Sequence, residues 1–166
     1  MKVAVKDANV LIDLVEGDLL GLWFRLGIET HVPDLVLEEI KNPEQRRIVL
    51  AMVEAGNLKV GTFDATQVLR IGFYKRVYRV SLADAAAILL AEQLQATLLS
   101  GDKPVRRAGQ ALSIEVKGLL WVFDELVHRG LLGFADASMR LDRVVEAGAR
   151  LPAEEVQARL RKWRST

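Results

Sequence analysis

The alternation of short aliphatic runs with longer helical patterns restricts the possible folds of this chain more than any other feature of its sequence. Five runs rich in Val, Ile, Leu and Thr predict strands at residues 2–6, 30–32, 58–60, 96–99 and 113–116. Helical patterns lie between these runs. This order predicts an α/β fold with a mainly parallel central sheet of about five strands, covered by helices on both faces.

The predicted helices dominate the last third of the chain. They are expected at residues 8–16, 19–26, 44–54, 105–111, 119–128, 136–146 and 153–163, with three more that begin at Pro33, after Asp64 and after Ser81. No repeat, low-complexity tract or linker divides the sequence. We therefore expect a single domain over residues 1–166, with an α/β core at 1–118 and a helical C-terminal extension at 119–166.

Composition narrows the class of protein. The chain has 166 residues and is 51% hydrophobic, which is enough to bury a substantial core. It has no cysteine and two histidines, so disulfides and thiolate metal sites are excluded and a zinc centre is not expected. Apolar runs are too short to span a membrane, and Asp7 interrupts the N-terminus before a signal-peptide core could form. We expect a cytoplasmic protein.

Net charge gives no support to nucleic-acid binding. The 23 basic and 22 acidic residues leave a formal charge of +1, whereas nucleic-acid-binding domains are usually strongly basic. Local basic clusters exist, among them Lys103, Arg106 and Arg107, but each taken alone is typical of a solvated helix face.

Acidic residues lie where the predicted strands end. Asp7 closes the first strand, Asp102 follows the fourth, and Glu38 and Glu39 belong to the helix after the second. Asp84 is in the first turn of the helix after Ser81. Ligands of open parallel sheets bind at this carboxyl edge.

Each of these acids also has a purely structural explanation. Asp7 and Asp102 could cap the helices that follow them, and Asp84 could complete a capping box with Ser81. Taken together, however, carboxylates gathered at one sheet edge would repel one another unless a cation neutralised them. An all-oxygen cluster of this kind suits Mg²⁺ or Mn²⁺.

Four segments in order resemble the conserved blocks of PIN domains. The blocks run from Asp7 to Leu14, from Val32 to Ile40, from Ser81 to Ile88 and from Leu98 to Lys103. The resemblance covers about residues 1–118 well, and residues 118–163 look like the helical tail of one prokaryotic subgroup. It implies a three-layer α/β/α sandwich and a metal-dependent endoribonuclease. Many small members are VapC-type toxins of toxin–antitoxin pairs, so an RNA substrate, an antitoxin partner and a homodimer are expected.

By this resemblance the catalytic acids are Asp7, Glu39, Asp84 and Asp102. Asp7, Asp84 and Asp102 are expected to ligate the metal, Mg²⁺ or Mn²⁺, while Glu39, which matches the second block better than Glu38, completes the cluster. Asn9 and Ser100 are expected as supporting polar groups. Lys103 and Arg106 are candidates for contacts with RNA.

Two other hypotheses are open at this point. A receiver-like phosphoacceptor domain would use Asp7 for metal, Asp64 as acceptor, Ser100 as switch hydroxyl and Lys117 after the last strand. A catalytically silent PIN fold would bind RNA or a protein partner only. The apolar residues of the C-terminal extension are expected in the core, with an antitoxin groove as the alternative; they are Leu119, Leu120, Trp121, Phe123, Leu126, Leu131 and Leu132.

Overall fold

The structure, a computed structural model that describes residues 3–165, contains a sheet of short parallel strands. They are β1 (Val3–Lys6), β2 (Glu29–Pro33), β3 (Leu58–Gly61), β4 (Thr97–Leu99) and β5 (Val116–Lys117). Their spatial order is β3-β2-β1-β4-β5, and every neighbouring pair is parallel. The two strands that precede Asp7 and Asp102, β1 and β4, are therefore adjacent in the sheet, with β1 in its middle.

Helices connect and follow the strands. They are α1 (Ala8–Glu16), α2 (Leu20–Phe24), α3 (Asp34–Glu39), α4 (Pro43–Glu54), α5 (Ala65–Tyr78), α6 (Leu82–Leu94), α7 (Lys103–Ala111), α8 (Leu119–His128), α9 (Phe134–Glu146) and α10 (Ala153–Arg164). Within residues 3–165, no helix is both long enough and apolar enough to cross a bilayer.

Two apolar cores cover the two faces of the sheet. Because side chains of a strand alternate between faces, Leu98 of β4 belongs to one core and Leu99 to the other. The smaller core is formed mainly by the alanine-rich helix α6 with α5 and α7. The larger core surrounds Trp23 and Phe123 and includes side chains from α1, α8, α9 and α10. The predicted α/β fold with a helical C-terminal part is confirmed.

The C-terminal helices are joined to the α/β part by packing and hydrogen bonds. The guanidinium of Arg140 on α9 donates to the carbonyl oxygens of Gly17 and Asp18, at 3.1 and 2.5 Å. On α10, the Trp163 ring lies 6.2 Å from that of Phe123 on α8. The seven apolar residues of residues 119–132 that were predicted to lie in the core are buried or half-buried, which confirms that assignment for them.

Some boundaries differ from those that the sequence predicts. The prediction that the fifth strand starts at residue 113 was wrong, because Ser113 adopts a left-handed conformation (φ 57°) just after the end of α7. The Ile114 N–H then donates to the Gly109 carbonyl at 2.8 Å, so β5 begins only at Val116. Helix α2 is shorter than predicted at both ends. Lys2, which the first predicted strand includes, lies outside the described residues.

Candidate active site

Asp7 is a buried carboxylate at the point where β1 passes into α1. Its backbone N–H donates to the carbonyl of Leu99 at 3.2 Å, which ties it to the end of β4. Its side chain caps α1 by accepting from the Val10 N–H at 2.8 Å. The cap that the sequence allowed is therefore present. However, only 2% of Asp7 is exposed, and a cap by itself does not require such burial.

Ser100 connects Asp7 with Asp102. Ser100 is fully buried, and its backbone N–H donates to the Lys117 carbonyl of β5 at 2.9 Å. Its hydroxyl donates to the Asp7 carboxylate and accepts from the Asp102 N–H at 3.2 Å. The expected supporting hydroxyl is thus placed between the acids that end two neighbouring strands.

Asp102 occupies the cap position of α7 without acting as a cap. Its side chain forms no capping hydrogen bond, and it is exposed. The structural explanation for this aspartate therefore does not hold. Its carboxylate is free to bind a ligand at the carboxyl edge of the sheet.

Asp84 and Glu39 approach the same region from α6 and α3. The backbone N–H of Asp84 donates to the hydroxyl oxygen of Ser81 at 3.0 Å, so Ser81 caps α6 as the sequence predicts. Hydrogen bonds from Ser81 also lower the pKa of the Asp84 carboxylate. Asp84 is nevertheless half-buried and close enough to Asp102 and Glu39 for both negative charges to raise its pKa. Glu39 therefore belongs to the acidic group, whereas Glu38 has no such influence on Asp84.

The acids act on one another without a compensating cation. Burial raises the pKa of Asp7 to about 7 from its usual 3.8; the hydrogen bonds from Ser100 and Val10 oppose this shift, and the charges of Asp84 and Asp102 add to it. Burial is also the main cause of the raised pKa of Asp84. Within residues 3–165, none of the four acids forms an ion pair.

The chemistry of this set of donors fits a hard divalent cation. Carboxylate oxygens are the ligands that Mg²⁺ and Mn²⁺ prefer. A bound cation would also offset the free-energy cost of burying the ionised carboxylate of Asp7. Among the described residues, however, no three acidic or histidine side chains stand close enough together to chelate one ion. The acids lie close enough to raise one another's pKa values, but the described side chains do not place three of them around one point.

A pocket beside Asp102 contains the predicted Asn9 and an aspartate that the sequence analysis missed. Asn9 is exposed on α1 and lines a pocket of about 390 Å³ together with Asp13 and Asp102. Burial, with a contribution from Glu16, raises the pKa of Asp13 to about 6. The spacing of Asn9 and Asp13, four residues apart on one helix, was the signal that could have identified Asp13.

The predicted basic residues line a second depression next to the acids. Lys103 and Arg106 are exposed on α7 and line a groove of about 860 Å³ that also includes Asp102. The guanidinium of Arg106 lies against Gly118, where a side-chain carbon would stand 3.2 Å from Nη2. Because residue 118 is a glycine, the guanidinium of Arg106 has space to lie at this position in the groove.

The receiver-like alternative is wrong. Asp64 follows β3, which is an edge strand separated from β1 by β2. Its side chain accepts from the Gln67 N–H at 2.8 Å in a complete capping box for α5. Lys117 forms an ion pair with Glu115 at 3.2 Å. The proposed acceptor is therefore an exposed helix cap remote from Asp7.

Comparison with known proteins identifies the family. A sequence model of the PIN domain matches residues 3–165, so the chain belongs to the PIN-domain family, whose members are generally nucleases. The structure is similar to that of PAE2754 from Pyrobaculum aerophilum, with a TM-score of 0.55 and 12% identity over 75% of this chain and 96% of that chain.

A second solved structure, FitAcB from Neisseria gonorrhoeae, is similar with a TM-score of 0.42 and 15% identity. That match covers 68% of this chain and 95% of the other. At 12% identity the likeness to PAE2754 concerns the fold alone. Among curated protein sequences, none is significantly similar to this chain.

Proposed function

We propose that this PIN domain is a metal-dependent endoribonuclease that hydrolyses RNA phosphodiester bonds. The observation that carries the proposal is the buried Asp7 carboxylate, which Ser100 joins to the backbone N–H of Asp102 and whose pKa is raised further by the charges of Asp84 and Asp102. The carboxylate of Asp102 itself is free of any capping hydrogen bond. A structural carboxylate would gain stability from a cationic partner, and these acids have none in the described part of the chain. Such uncompensated clusters are typical of functional sites.

The four acids have two kinds of role in the proposed reaction. Asp7, Asp84 and Asp102 hold the divalent cation, Mg²⁺ or Mn²⁺, and Glu39 completes the set by orienting the attacking water. When bound, the cation would supply Lewis-acid activation of water and neutralise charge on the phosphate. Ser100 fixes the Asp7 carboxylate. Asn9 offers a neutral polar group at the rim of the same site.

The basic residues of α7 are proposed to contact the substrate. Lys103 and Arg106 line the groove next to Asp102 and are free to bind phosphate, because within residues 3–165 neither forms an ion pair. Phosphate contacts of this kind supply most of the sequence-independent affinity for nucleic acids. A local basic patch therefore compensates for the low net charge of the whole chain.

The biological setting follows from the family resemblance. We propose that the chain is the toxin of a VapC-type toxin–antitoxin pair and that residues 1–166 act as one domain. The homodimer and the cytoplasmic location stay predictions. Light scattering of the purified protein, alone and with the product of a neighbouring reading frame, would test the dimer and the antitoxin directly.

A catalytically silent PIN fold that only binds RNA is the second candidate. The observation that favours it is the lack, among residues 3–165, of three carboxylates close enough to hold one ion. The two candidates differ in whether added metal brings the acids to a working arrangement.

Cleavage of a mixed panel of RNAs by the purified protein in Mn²⁺, Mg²⁺ or EDTA tests the proposal. We expect cleavage that requires metal and is lost in the Asp7→Ala/Asp102→Ala double variant and in Asp84→Asn. The Asp84→Asn variant is expected to fold normally, which circular dichroism would check. Undiminished cleavage by the Asp84→Asn variant would rule out the proposed role of Asp84 as a metal ligand. Metal binding and RNA binding by the wild type, without cleavage of any RNA, would establish the silent module instead.

A further inference from the structure

The acidic site opens into a groove whose opposite wall comes from the C-terminal helices. The pocket that holds Asn9 and the groove that holds Arg106 share the residues Gly101, Asp102, Leu119, Arg150 and Leu151. The two depressions therefore meet at Asp102. The segment between α9 and α10, residues 147–152, lines both of them.

We propose that this segment, with the start of α8, forms a subsite for the single-stranded RNA that flanks the scissile phosphate. Arg150 and Arg106 bind backbone phosphates there, and Trp121 stacks on a nucleobase. The inference rests on the proposed nuclease function, since it assigns the RNA path beside that site. Arg150 is a positioning residue in this scheme and takes no part in bond cleavage.

Arg150 is held in place by an anchored backbone. Helix α9 ends at Glu146, and Gly148, with a φ of +108°, then reverses the chain. The Ala149 N–H donates back to the Val144 carbonyl of the helix at 3.0 Å. Ala149 and Leu151 are half-buried against the larger core, while Arg150 between them is exposed. The segment therefore presents one charged side chain from a fixed position.

Three cations that line the groove are free to bind a ligand. Lys103, Arg106 and Arg150 form no ion pair within the described part of the chain. The other arginine of the groove, Arg159, is neutralised by Asp124, at 2.6 Å between Nη2 and Oδ2. Arginines without a protein partner are suited to phosphate, which they can bind through two parallel hydrogen bonds.

Trp121 supplies an aromatic surface in the same groove. Its indole is half-buried and is fixed by an edge-on contact with the ring of Trp23, at 6.4 Å between ring centroids. A basic groove with an embedded aromatic side chain is the usual means of binding single-stranded nucleic acid without strict sequence preference. An acidic peptide would use the arginines and leave the indole unexplained, so the observations favour RNA.

Binding of a fluorescently labelled single-stranded RNA in EDTA, measured by anisotropy at several salt concentrations, tests the subsite. We expect Arg150→Ala to weaken binding by about tenfold and to lower the slope of log Kd against log salt by about 0.7, the contribution of one phosphate contact on a single strand. Arg150→Lys should restore the wild-type slope. Trp121→Phe should weaken binding and leave the slope of log Kd against log salt unchanged. The matched control is Arg161→Ala, an exposed arginine of α10 outside the groove, which should bind as the wild type does.

Cleavage kinetics separate this inference from the nuclease function on which it rests. In the presence of metal, Arg150→Ala should raise KM with little change in kcat. Wild-type cleavage together with an Arg150→Ala variant that behaves like Arg161→Ala would overturn the subsite and leave the nuclease standing. A wild type that binds RNA through Arg150 but never cleaves it would contradict the nuclease and retain the RNA path. Poly-glutamate is the test for an acidic protein partner. If it displaces the RNA, and if its binding depends more strongly on Arg150 than RNA binding does, the proposed RNA path is overturned in favour of such a partner.

Discussion

The hydroxyl of Ser100 donates a hydrogen bond to the buried carboxylate of Asp7 and so joins the ends of two neighbouring strands. The same oxygen accepts from the Asp102 N–H at 3.2 Å. One fully buried side chain therefore fixes the positions of two proposed metal ligands relative to each other. It also lowers the pKa of Asp7, against the effect of burial, and so favours the ionised form that a cation requires.

Replacing Asp7 with Asn should stabilise the metal-free protein at alkaline pH. The folded pKa of Asp7 is raised to about 7 from 3.8, so between about pH 4 and pH 7 the folded chain keeps a proton that the unfolded chain has released. Stability of the wild type should therefore fall across this window and stay low above it. At about 1.4 kcal/mol per pKa unit, the upper limit of the loss is about 4 kcal/mol.

Thermal unfolding in EDTA at about pH 5 and about pH 8 measures this effect. The Asn variant, which keeps an oxygen for the Val10 N–H, should lose the part of the pH dependence that Asp7 contributes and exceed the wild type in Tm at the higher pH; Asp13 and Asp84 keep their own part. Added Mn²⁺ should raise the wild-type Tm more at the higher pH, where Asp7 can ionise. An Asn variant that is less stable than the wild type at both pH values would contradict the uncompensated charge.

Removing the Ser100 hydroxyl should move the pH dependence of cleavage. In Ser100→Ala the Asp7 carboxylate loses a hydrogen bond that lowers its pKa, so the rising limb of activity should shift to higher pH. Stability should fall by about 1 kcal/mol. The measurement is cleavage against pH at metal concentrations below saturation. Ser138→Ala is the matched control, because that buried hydroxyl on α9 has no hydrogen-bond partner; an equal shift in both variants would exclude the role of Ser100.

Substitution of Asp102 and of Asp64 should have opposite effects: the first should affect cleavage and the second stability. Both occupy helix cap positions, but only Asp64 makes a capping hydrogen bond. Asp64→Ala should cost about 1 kcal/mol of stability with unchanged cleavage, and Asp102→Ala should abolish cleavage with little change in stability. Chemical denaturation and the RNA assay give both quantities. Equal loss of stability in the two variants would show that Asp102 has a structural role.

Glu39 and Glu38 form a matched pair for testing the second acid. Both are exposed at the end of α3, and only Glu39 lies close enough to influence the pKa of Asp84. Glu39→Gln should lower kcat by at least about tenfold, within the usual range for loss of a positioned acid–base group, while Glu38→Gln should leave it unchanged. The reverse result would transfer the role to Glu38.

Gly109 should not tolerate a side chain. It lies where α7 crosses β5, and an added carbon would stand 2.4 Å from Cγ2 of Val116 and 3.1 Å from the Ile114 carbonyl. Gly109→Ala should therefore destabilise the protein by about 1–3 kcal/mol. Gly21→Ala on α2, where no atom lies within 4 Å, should instead stabilise it slightly. A neutral Gly109→Ala would show that the contact between helix and strand is looser than described.

Local patterns were sufficient for most of the secondary structure and for the acids. The strands, the helix starts at Ala8 and Ala153 and the core positions of α8 follow from periodicity and punctuation, which act over a few residues. The motif blocks selected Asp7, Glu39, Asp84 and Asp102 as candidate acids, because each lies beside such a boundary. The start of β5 was missed, since the left-handed Ser113 carries no residue-type signal such as glycine.

The sequence by itself therefore determined the fold class and the choice of candidate acids, because burial patterns and caps are properties of neighbouring residues. Only the tertiary structure decided that Ser100 lies between Asp7 and Asp102, that Asp13 lines the adjoining pocket and that Arg150 reaches the groove. Those relationships join residues far apart in the chain. They depend on the strand order and on how α8, α9 and α10 pack against the sheet, which no local pattern encodes.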